Sequence, residues 1–350
     1  MKILGIDHVL TEPRRVADVR HPNEQQLEAI RSAGYDKYYV CRDSCRVMGA
    51  RAVGKALAEA GYRAEDLGFI VAAHTNVPDF IGIDFACQVG AELGDLELRT
   101  VNLVEGCGNS SAWFSANALV NELAPGKVGA LVFVQRVSDA HFDRFGLMTA
   151  VLSDGAVAAI LGRPDAPSTD CGFVYRGCQD ISRTRFVDMM RIERGGGLSP
   201  FLLPDHDPRL DPLGRERVMD LFDFSGDDLA EFLSLRADNT LRVIKSGLGA
   251  AGWTKDDKLF LLHTLEGRHT IEALASTMEL PLENTNADLV AELGHVGCVD
   301  QLLSIDLMRR KDRLPPGSRV LMSSISTGMK WGCCMVERES KANQSEEAGQ

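Results

Sequence analysis

The amino-acid sequence predicts an α/β protein whose mostly parallel sheet is covered by helices on both faces. Two observations point to this class: fully apolar segments of strand length alternate with helical segments, and the second half of the chain repeats the plan of the first. Strands that are buried on both faces are typical of parallel sheets. The 350 residues, 45% of them hydrophobic and 25% charged, are enough for a large core.

Each element is predicted from the spacing of its apolar residues and from the residues at its ends. Gly61 is a typical C-cap, and Asn109 with Ser110 is a typical helix start. The predicted strands cover residues 1–10, 69–73, 101–104, 131–134, 156–161, 259–262 and 319–322, and the predicted helices cover residues 24–33, 43–60, 87–93, 109–119 and 302–307. We expect the strand at 101–104 to be buried.

Two pairs of segments indicate an internal repeat. Residues 60–71, AGYRAEDLGFIV, match residues 251–262, AGWTKDDKLFLL, at a constant offset of 191, and in both a helix ends at a glycine before an apolar strand. Residues 103–107 match residues 291–295 at an offset of 188, each interpreted as a strand that leads to a glycine and a reactive side chain. Two similar halves would place Cys107 and His295 near a pseudo-twofold axis.

The repeat suggests a division of the chain into residues 1–165, which carry the candidate nucleophile, and residues 166–337, which carry the candidate histidines. Between the halves, residues 194–216 contain three consecutive glycines and four prolines, which is typical of a functional or covering loop. Residues 338–350 are polar and are expected to form a disordered tail.

Composition excludes several classes of function. The net charge of -12 is spread along the chain, so a broad basic face for nucleic acid or anionic lipid is not expected. No apolar run approaches a membrane span, and the first residues lack the apolar region of a signal peptide. The nine cysteines are odd in number and lie mostly in apolar runs, which favours reduced thiols and a cytoplasmic location. The adjacent pair Cys333 and Cys334 has no metal-ligand spacing, so no metal site is predicted.

Cys107 is the candidate nucleophile. It lies between Gly106 and Gly108, after an apolar strand and before a predicted helix. A helix N-terminus favours the thiolate, which is the nucleophilic form of cysteine, and the glycines permit a sharp turn. The alternative is a small buried residue in an ordinary turn.

His263 and Arg268 form a second candidate group. His263 ends the apolar run 259–262, and the carboxyl ends of strands are where open α/β sheets bind ligands. It is a candidate acid or base, with a structural histidine as the alternative. Arg268 is expected in the first turn of the next helix, where it either binds a phosphate or carboxylate or forms a surface salt bridge.

His295 follows Gly294 and is a further candidate. Asp300, five residues later, is a carboxylate that either orients His295 or His263, or caps the helix at 302–307. Gly328 lies in a small-residue loop after the strand at 319–322. Its amide either stabilises a developing oxyanion or belongs to a plain hairpin glycine.

In this order, from near residue 1 to about residue 337, the landmarks resemble the β-ketoacyl-acyl carrier protein synthase III branch of the thiolase superfamily. Residues 153–161, SDGAVAAIL, are similar to that family's GDGAGAVVL-type strand, and residues 324–332, SISTGMKWG, are similar to its GGGFTWG-type loop. The resemblance implies a thiolase-like fold, in which two pseudo-symmetric α/β halves form a five-layered α-β-α-β-α core.

The resemblance also implies roles for individual residues. Cys107 corresponds to the acyl-accepting cysteine and His263 to the catalytic histidine, while Cys107 and Gly328 would supply the two oxyanion-hole amides. Arg268 corresponds to an arginine near the coenzyme A phosphates, and Arg31 either to a basic residue near the same group or to a solvated helix charge. The substrate would be a coenzyme A or phosphopantetheine thioester, with no separate cofactor. A homodimer is implied, with residues 80–85 lining the partner's tunnel.

Two motifs depart from the family's pattern. Its GNT motif is here Gly294-His295-Val296, and its PHQAN segment is here 262–266, LHTLE, which keeps only the histidine. A Cys-His-His set resembles the elongating ketosynthases, whereas the GHxGxxDQ pattern resembles a divergent subgroup of polyketide and antibiotic pathways. In that subgroup an aspartate can replace the asparagine, so that Asp300 and His295 are rivals for the third catalytic position.

Three functions follow as hypotheses. The first is decarboxylative condensation of an acyl group on Cys107 with a malonyl thioester, in polyketide or other secondary-metabolite biosynthesis. The second is transfer of that acyl group to a hydroxyl or an amine without carbon-carbon bond formation. The third is a non-catalytic subunit of a heterodimeric synthase. The expected partners are therefore acyl-CoA or an acyl carrier protein.

Overall fold

The computed structural model describes residues 1–340 except 22, 76, 105–108, 148–149, 193, 202–204, 211–213, 255–256 and 327–328. The predicted nucleophile Cys107, the predicted oxyanion glycine Gly328 and tail residues 341–350 lie outside the described residues. The other candidate side chains are all described.

Strands and helices alternate along the chain, as predicted. The prediction of a mostly parallel sheet is wrong, because three strand pairs of the main sheet are parallel and five are antiparallel among the described residues. The strands are β1 (Lys2–Val9), β2 (Pro13–Arg15), β3 (Lys37–Tyr39), β4 (Leu67–Thr75), β5 (Arg99–Val104), β6 (Val128–Gln135), β7 (Gly155–Gly162), β8 (Phe173–Ser182), β9 (Leu259–His263), β10 (Arg319–Ser326) and β11 (Lys330–Arg338). The helices are α1 (Glu24–Ser32), α2 (Cys45–Ala60), α3 (Phe85–Leu93), α4 (Ser110–Val120), α5 (Gly214–Phe222), α6 (Gly226–Ala251), α7 (Arg268–Thr277), α8 (Leu289–Leu293) and α9 (Asp300–Arg310).

Within the described residues, nine strands form one mixed sheet in the order β5-β4-β6-β7-β1-β8-β11-β10-β9. Strands β4, β5 and β6 are parallel, and β7 is antiparallel to both β6 and β1. In the second set, β9 and β10 are parallel, and β11 is antiparallel to both β10 and β8. Among the described residues, the strand pairing between the two sets consists of the pairs Lys2 with Val174 and Ile3 with Phe173, which join β1 to β8. The sheet therefore consists of two sets of strands that meet at one short junction.

The two sets of strands have the same topology. In each, the first strand along the chain lies at the junction, the last strand lies next to it, and the second strand lies further out. An isolated parallel bridge from Leu261 to Thr285 occupies the outer side of β9, where β5 lies beside β4 in the first set. The predicted repeat is also visible at the helix ends, because Gly61 ends α2 at φ 76° and Gly252 ends α6 at φ 66°. The pseudo-symmetric halves are confirmed.

The helices complete five layers. Trp113 of α4 and Leu302 of α9 belong to one core cluster that also contains Phe133 of the first set of strands and Leu262 of the second. Helices α2 and α3 pack on the other face of the first set, and α6 packs on the other face of the second. Because α4 and α9 lie between the two sets of strands, residues at their N-termini are placed at the centre of the molecule.

A network of charges attaches α9 to β1. The buried carboxylate of Asp306 accepts hydrogen bonds from His8 Nδ1 at 2.6 Å, from Arg309 at 2.6 Å and from Arg310 Nε at 3.0 Å. Arg309 also donates to the Ile6 carbonyl at 2.5 Å. A buried carboxylate is tolerated only when such partners compensate its lost hydration. The network therefore fixes α9, whose first residue is Asp300, against the strand at the centre of the sheet.

Two local predictions are wrong. Strand β5 is at the edge of the sheet rather than buried, and Val104 at its end is 73% exposed. Residues 291–293 belong to helix α8 and not to a strand, with Leu289, Val290 and Leu293 buried at helical spacing. A short apolar run does not distinguish a strand from one turn of helix, which explains the second error.

The predicted division at residue 165 stays a prediction, and the chain passes from one set of strands to the other between β7 and β8. Strand β11 ends at Arg338, which is the first residue of the predicted tail. In the described part of the chain, no helix combines the length and the apolar character that crossing a bilayer requires.

Candidate active site

His295 lies in a tightly held turn between α8 and α9. Its backbone N–H donates to the Val151 carbonyl at 2.8 Å, and its own carbonyl accepts from Ser153 N at 2.9 Å and from Gln135 Nε2 at 2.9 Å. The side chain is 7% exposed. It follows a helix and not the predicted strand, but its backbone is fixed from three sides, so the imidazole is held in one position.

Asp300 orients His295. The carboxylate of Asp300 has no solvent exposure, and its Oδ2 lies 2.7 Å from His295 Nδ1. Val296 N–H donates to Oδ1 at 2.7 Å, and Leu265 N–H donates to Oδ2 at 2.8 Å. Because an ionised carboxylate only accepts, Nδ1 of His295 carries the hydrogen and Nε2 is the nitrogen for proton transfer. Of the predicted alternatives, the geometry therefore matches an orienting carboxylate for His295.

His263 ends β9 as predicted and is fully buried. Its Nδ1 lies 3.0 Å from Ser323 Oγ, and its Nε2 lies 3.1 Å from Glu266 Oε1. Glu266 Oε2 in turn accepts from Arg236 of α6 at 2.7 Å. Burial opposes ionisation of Glu266, but the Arg236 guanidinium and the hydrogen bond from His263 hold the pKa of its carboxyl well below the usual value. Both ring nitrogens of His263 are thus engaged by side chains.

Gln301 connects the two candidate histidine regions to the segment that carries the candidate nucleophile. Asn109 Nδ2 donates to Gln301 Oε1 at 2.8 Å, and Gln301 Nε2 donates to Thr264 Oγ1 at 3.0 Å and to the Ser323 carbonyl at 3.2 Å. Asn109 has a left-handed backbone, with φ 47°, and α4 begins at the next residue. Asn109 precedes α4 as predicted, but its side chain makes no capping hydrogen bond, and its Nδ2 binds Gln301 instead. The position two residues after Cys107 is therefore joined to the residues beside both histidines.

The hairpin around Gly328 is described only at its two ends. Ser326 of β10 pairs with Lys330 of β11, so the predicted position of the loop after β10 agrees with the described strands. Cys107 follows β5 and precedes α4 in the same way. The roles of Cys107 as nucleophile and of both amides as oxyanion donors stay predictions.

Arg268 and Arg31 lie at neighbouring helix ends. Arg268 begins α7, its backbone N–H donates to the Ala33 carbonyl at 2.9 Å, and its Nε donates to Glu272 at 2.7 Å. Arg31, in the last turn of α1, pairs with Glu28 at 3.5 Å. The surface salt bridge that was the alternative for Arg268 is present, and the side chains of Arg268 and Arg31 are both about 40% exposed, which matches the solvated helix charge that was the alternative for Arg31. A role in binding phosphates stays a prediction.

The chain is similar to known proteins of one family. Residues 248–338 match the family model described as the C terminal of 3-oxoacyl-[acyl-carrier-protein] synthase III. The β-ketoacyl-[acyl-carrier-protein] synthase III of Oleidesulfovibrio alaskensis is 26% identical over 291 residues, or 83% of each chain. The protein of that name from Rhodobacter capsulatus is 25% identical over 342 residues, or 95% of this chain and 98% of its own. These matches support the resemblance of the chain to the ketoacyl synthase III-like family of the thiolase superfamily.

Solved structures show the same fold for this ketoacyl synthase III-like chain. ChlB3, described as an acyltransferase, covers 97% of each chain with a TM-score of 0.79 and 20% sequence identity. The synthase III of Pseudomonas aeruginosa covers 97% of this chain and 98% of its own, with a TM-score of 0.71 and 19% identity. The predicted thiolase-like fold is confirmed, and so is the prediction that the chain is an enzyme of the acyltransferase type.

Gly297 allows the His295 turn of this synthase-like chain to form. Its φ is +59°, and a Cβ there would lie 1.8 Å from Gln135 Oε1, the amide whose Nε2 holds the His295 carbonyl. We expect Gly297→Ala to lower the free energy of unfolding by about 2–4 kcal/mol, because it combines a left-handed backbone with overpacking. Urea unfolding monitored by circular dichroism measures the change.

Gly249→Ala is the matched control for this prediction. Gly249 lies in α6, and a Cβ there has no heavy atom within 4 Å. Alanine is favoured over glycine in a helix by about 0.5–1 kcal/mol, so this variant should be as stable as the wild type or slightly more stable. Equal stability of both variants would contradict the role assigned to Gly297.

Proposed function

We propose that the chain takes an acyl group from a coenzyme A or carrier protein thioester onto Cys107 and transfers it to a hydroxyl or an amine. The thiolate of Cys107 attacks the thioester carbonyl, the carbon-sulfur bond to the donor breaks, and the donor thiol leaves after taking up a proton. The acceptor then attacks the acyl-enzyme, loses its proton, and the product leaves as an ester or an amide. No separate cofactor takes part.

The contact between His295 and Asp300 carries this proposal. An imidazole held by a buried carboxylate at Nδ1 is suited to take a proton at Nε2 from a neutral acceptor and to return it to the leaving thiol. Both ring nitrogens of His263 are held in hydrogen bonds to Ser323 and Glu266. These contacts favour a single general base over a pair of histidines that both donate to the substrate.

Decarboxylative condensation with a malonyl thioester is the second candidate. The curated relatives are named for synthase activity, and the chain has two histidines beside one site. In this mechanism His263 and His295 stabilise the enolate that remains when carbon dioxide leaves, and the product is a β-ketoacyl thioester. Both candidates fit a role in secondary-metabolite biosynthesis. The alternative that is not an enzyme is a non-catalytic subunit of a heterodimeric synthase.

We further propose that the chain forms a homodimer through the edge of β5. Val104 on that strand is 73% exposed, and Phe114 on the adjacent α4 is 67% exposed. Within residues 80–85, Ile81 is 74% exposed. Apolar side chains on an unpaired sheet edge are typical of a surface that is covered by a second chain.

Arg268 and Arg31 would bind the phosphates of the thioester donor.

The products of the second step distinguish the candidates. The protein is incubated with acyl-CoA and with either malonyl-CoA or a panel of alcohols and amines, and carbon dioxide and acylated products are measured. We expect ester or amide products without carbon dioxide, and no product with Cys107→Ala. Release of carbon dioxide together with an equal amount of a β-ketoacyl thioester would favour condensation instead.

A further inference from the structure

Glu266 forms a bridge between His263 and α6. Its two carboxylate oxygens divide the contacts, with Oε1 3.1 Å from His263 Nε2 and Oε2 2.7 Å from Arg236 Nη2. His263 is fully buried, while the side chain of Glu266 is 18% exposed. The glutamate is therefore the more exposed partner of a fully buried histidine.

The hydrogen bonds determine where the proton of His263 points. The ionised carboxylate of Glu266 can only accept, so Nε2 of His263 carries the hydrogen and directs it at Glu266. The hydroxyl of Ser323 can donate to Nδ1 of the neutral ring. Hydrogen bonds to an ionised group are roughly twice as strong as those between neutral groups. A substrate oxygen that needs the N–H of His263 has to displace Glu266 first.

Arg236 keeps Glu266 in this position. Its guanidinium is on α6, which packs on the outer face of the second set of strands, and it binds Oε2, the carboxylate oxygen that does not contact His263. The ion pair compensates the lost hydration of the carboxylate and restricts its rotation.

We propose that Glu266 is a specificity-determining residue, which acts by positioning His263 and thereby suppresses decarboxylation of malonyl thioesters. This inference rests on the proposed function, acyl transfer without condensation. Decarboxylation breaks the bond between the carboxylate carbon and the methylene carbon and sends its electron pair to the thioester oxygen. Carbon dioxide leaves, and the enolate then takes a proton to give an acetyl thioester. The thioester oxygen needs hydrogen-bond donors as its negative charge develops. One such donor, the Nε2–H of His263, is occupied by Glu266.

Two substitutions of Glu266 test the inference on the full-length protein. Glu266→Asn removes the charge and shortens the side chain, and Glu266→Gln removes the charge at constant length. We expect the rate of malonyl-CoA decarboxylation to rise by about tenfold or more in Glu266→Asn and by less in Glu266→Gln. A tenfold change in rate corresponds to the free energy of about one charge-assisted hydrogen bond. Glu266→Asp keeps the carboxylate and should stay near the wild-type rate. If Glu266→Asn does not fold, as judged by circular dichroism, the isosteric glutamine variant decides the test.

Two controls show whether a gain acts through His263. The double variant Glu266→Asn with His263→Ala should lose the gain, whereas a gain caused only by the released charge of Arg236 would remain and would overturn the inference. Glu231→Gln, on the exposed surface of α6, should behave as the wild type. An unchanged rate in both neutral variants, with folding intact, would also overturn it.

Acylation by acyl-CoA, measured on the same preparations, separates this inference from the proposed function. A wild type that takes no acyl group contradicts the proposed function. A wild type that is acylated, together with a Glu266→Asn variant that gains no decarboxylation, contradicts the inference alone.

Discussion

Replacing Asp300 with asparagine is expected to lower the rate of acyl transfer by about 10⁴-fold, the effect that the same exchange has in a Ser-His-Asp triad. The amide group can donate to Nδ1 of His295, which would place the hydrogen on Nε2. That tautomer cannot accept a proton from Cys107 or from the acceptor. The expected loss is therefore in turnover rather than in substrate binding.

The same substitution should also cost stability. Asp300 accepts backbone hydrogen bonds from Val296 at 2.7 Å and from Leu265 at 2.8 Å, and an amide nitrogen cannot accept either of them. One unsatisfied buried donor costs about 1–3 kcal/mol. Single-turnover transfer and urea unfolding, measured on one preparation, separate the two effects.

Asp312→Asn is the matched control for Asp300→Asn. Asp312 is exposed just after α9 and has a left-handed φ of 54°, which asparagine tolerates well. This variant should keep the wild-type rate and stability. A folded Asp300→Asn variant with transfer within tenfold of the wild type would mean that Asp300 does not orient a catalytic base.

The second large effect is expected at Cys107. If its thiolate accepts the acyl group, Cys107→Ala removes the only covalent intermediate, and transfer should fall by about 10⁴-fold or more, as when other enzymes lose their nucleophile. The rest of the site should stay intact, since the hydrogen bonds from Asn109 to Gln301 and from His295 to Asp300 do not involve Cys107. Binding of a non-hydrolysable acyl-CoA analogue should therefore be retained.

Much of the fold could be predicted from the sequence because its signals are local. Strands such as β6 and β7 consist entirely of buried residues, and the glycines at 61 and 252 end equivalent helices in the same backbone conformation. The edge position of β5 could not be predicted, because an apolar strand looks the same whether a helix or a second chain covers it.

Parts of the site also followed from the sequence. His263 and His295 were singled out by their positions after apolar runs, and Asp300 by its spacing from His295. The sequence does not decide the partner of Asp300, because a carboxylate five residues after a histidine can either orient that histidine or cap a helix. Only the fold decides this, by placing Asp300 at the buried start of α9 with Oδ2 facing His295 Nδ1.

The sequence alone does not reveal the residues that contact His263 or those that form the bridge between the halves. Glu266 and Arg236 are 30 residues apart, and Gln301 and Asn109 are 192 residues apart. Such pairs have no local pattern and become visible only when the chain is folded. One signal in the sequence points to Glu266. Residues 262–266, LHTLE, stand where the family that the chain resembles has PHQAN.

Another reactive thiol has to be distinguished from Cys107 in any labelling experiment. The hydrogen bond from the Cys334 thiol, helped by one from Tyr175, lowers the pKa of Cys178 to about 7 despite its burial. Cys178 also lies 3.8 Å from the Ser110 carbonyl, at the start of α4. An acyl group found on the intact protein must therefore be assigned to one cysteine by peptide mapping.

The most direct measurement is the intact mass of the protein after incubation with a panel of acyl-CoA thioesters, followed by peptide mapping of the adduct. We expect one added acyl group, located on the peptide that contains Cys107 and absent from Cys107→Ala. A wild type that stays unmodified across the panel, or an adduct on Cys178 that persists in Cys107→Ala, would contradict the assignment of Cys107 as the acyl-accepting nucleophile.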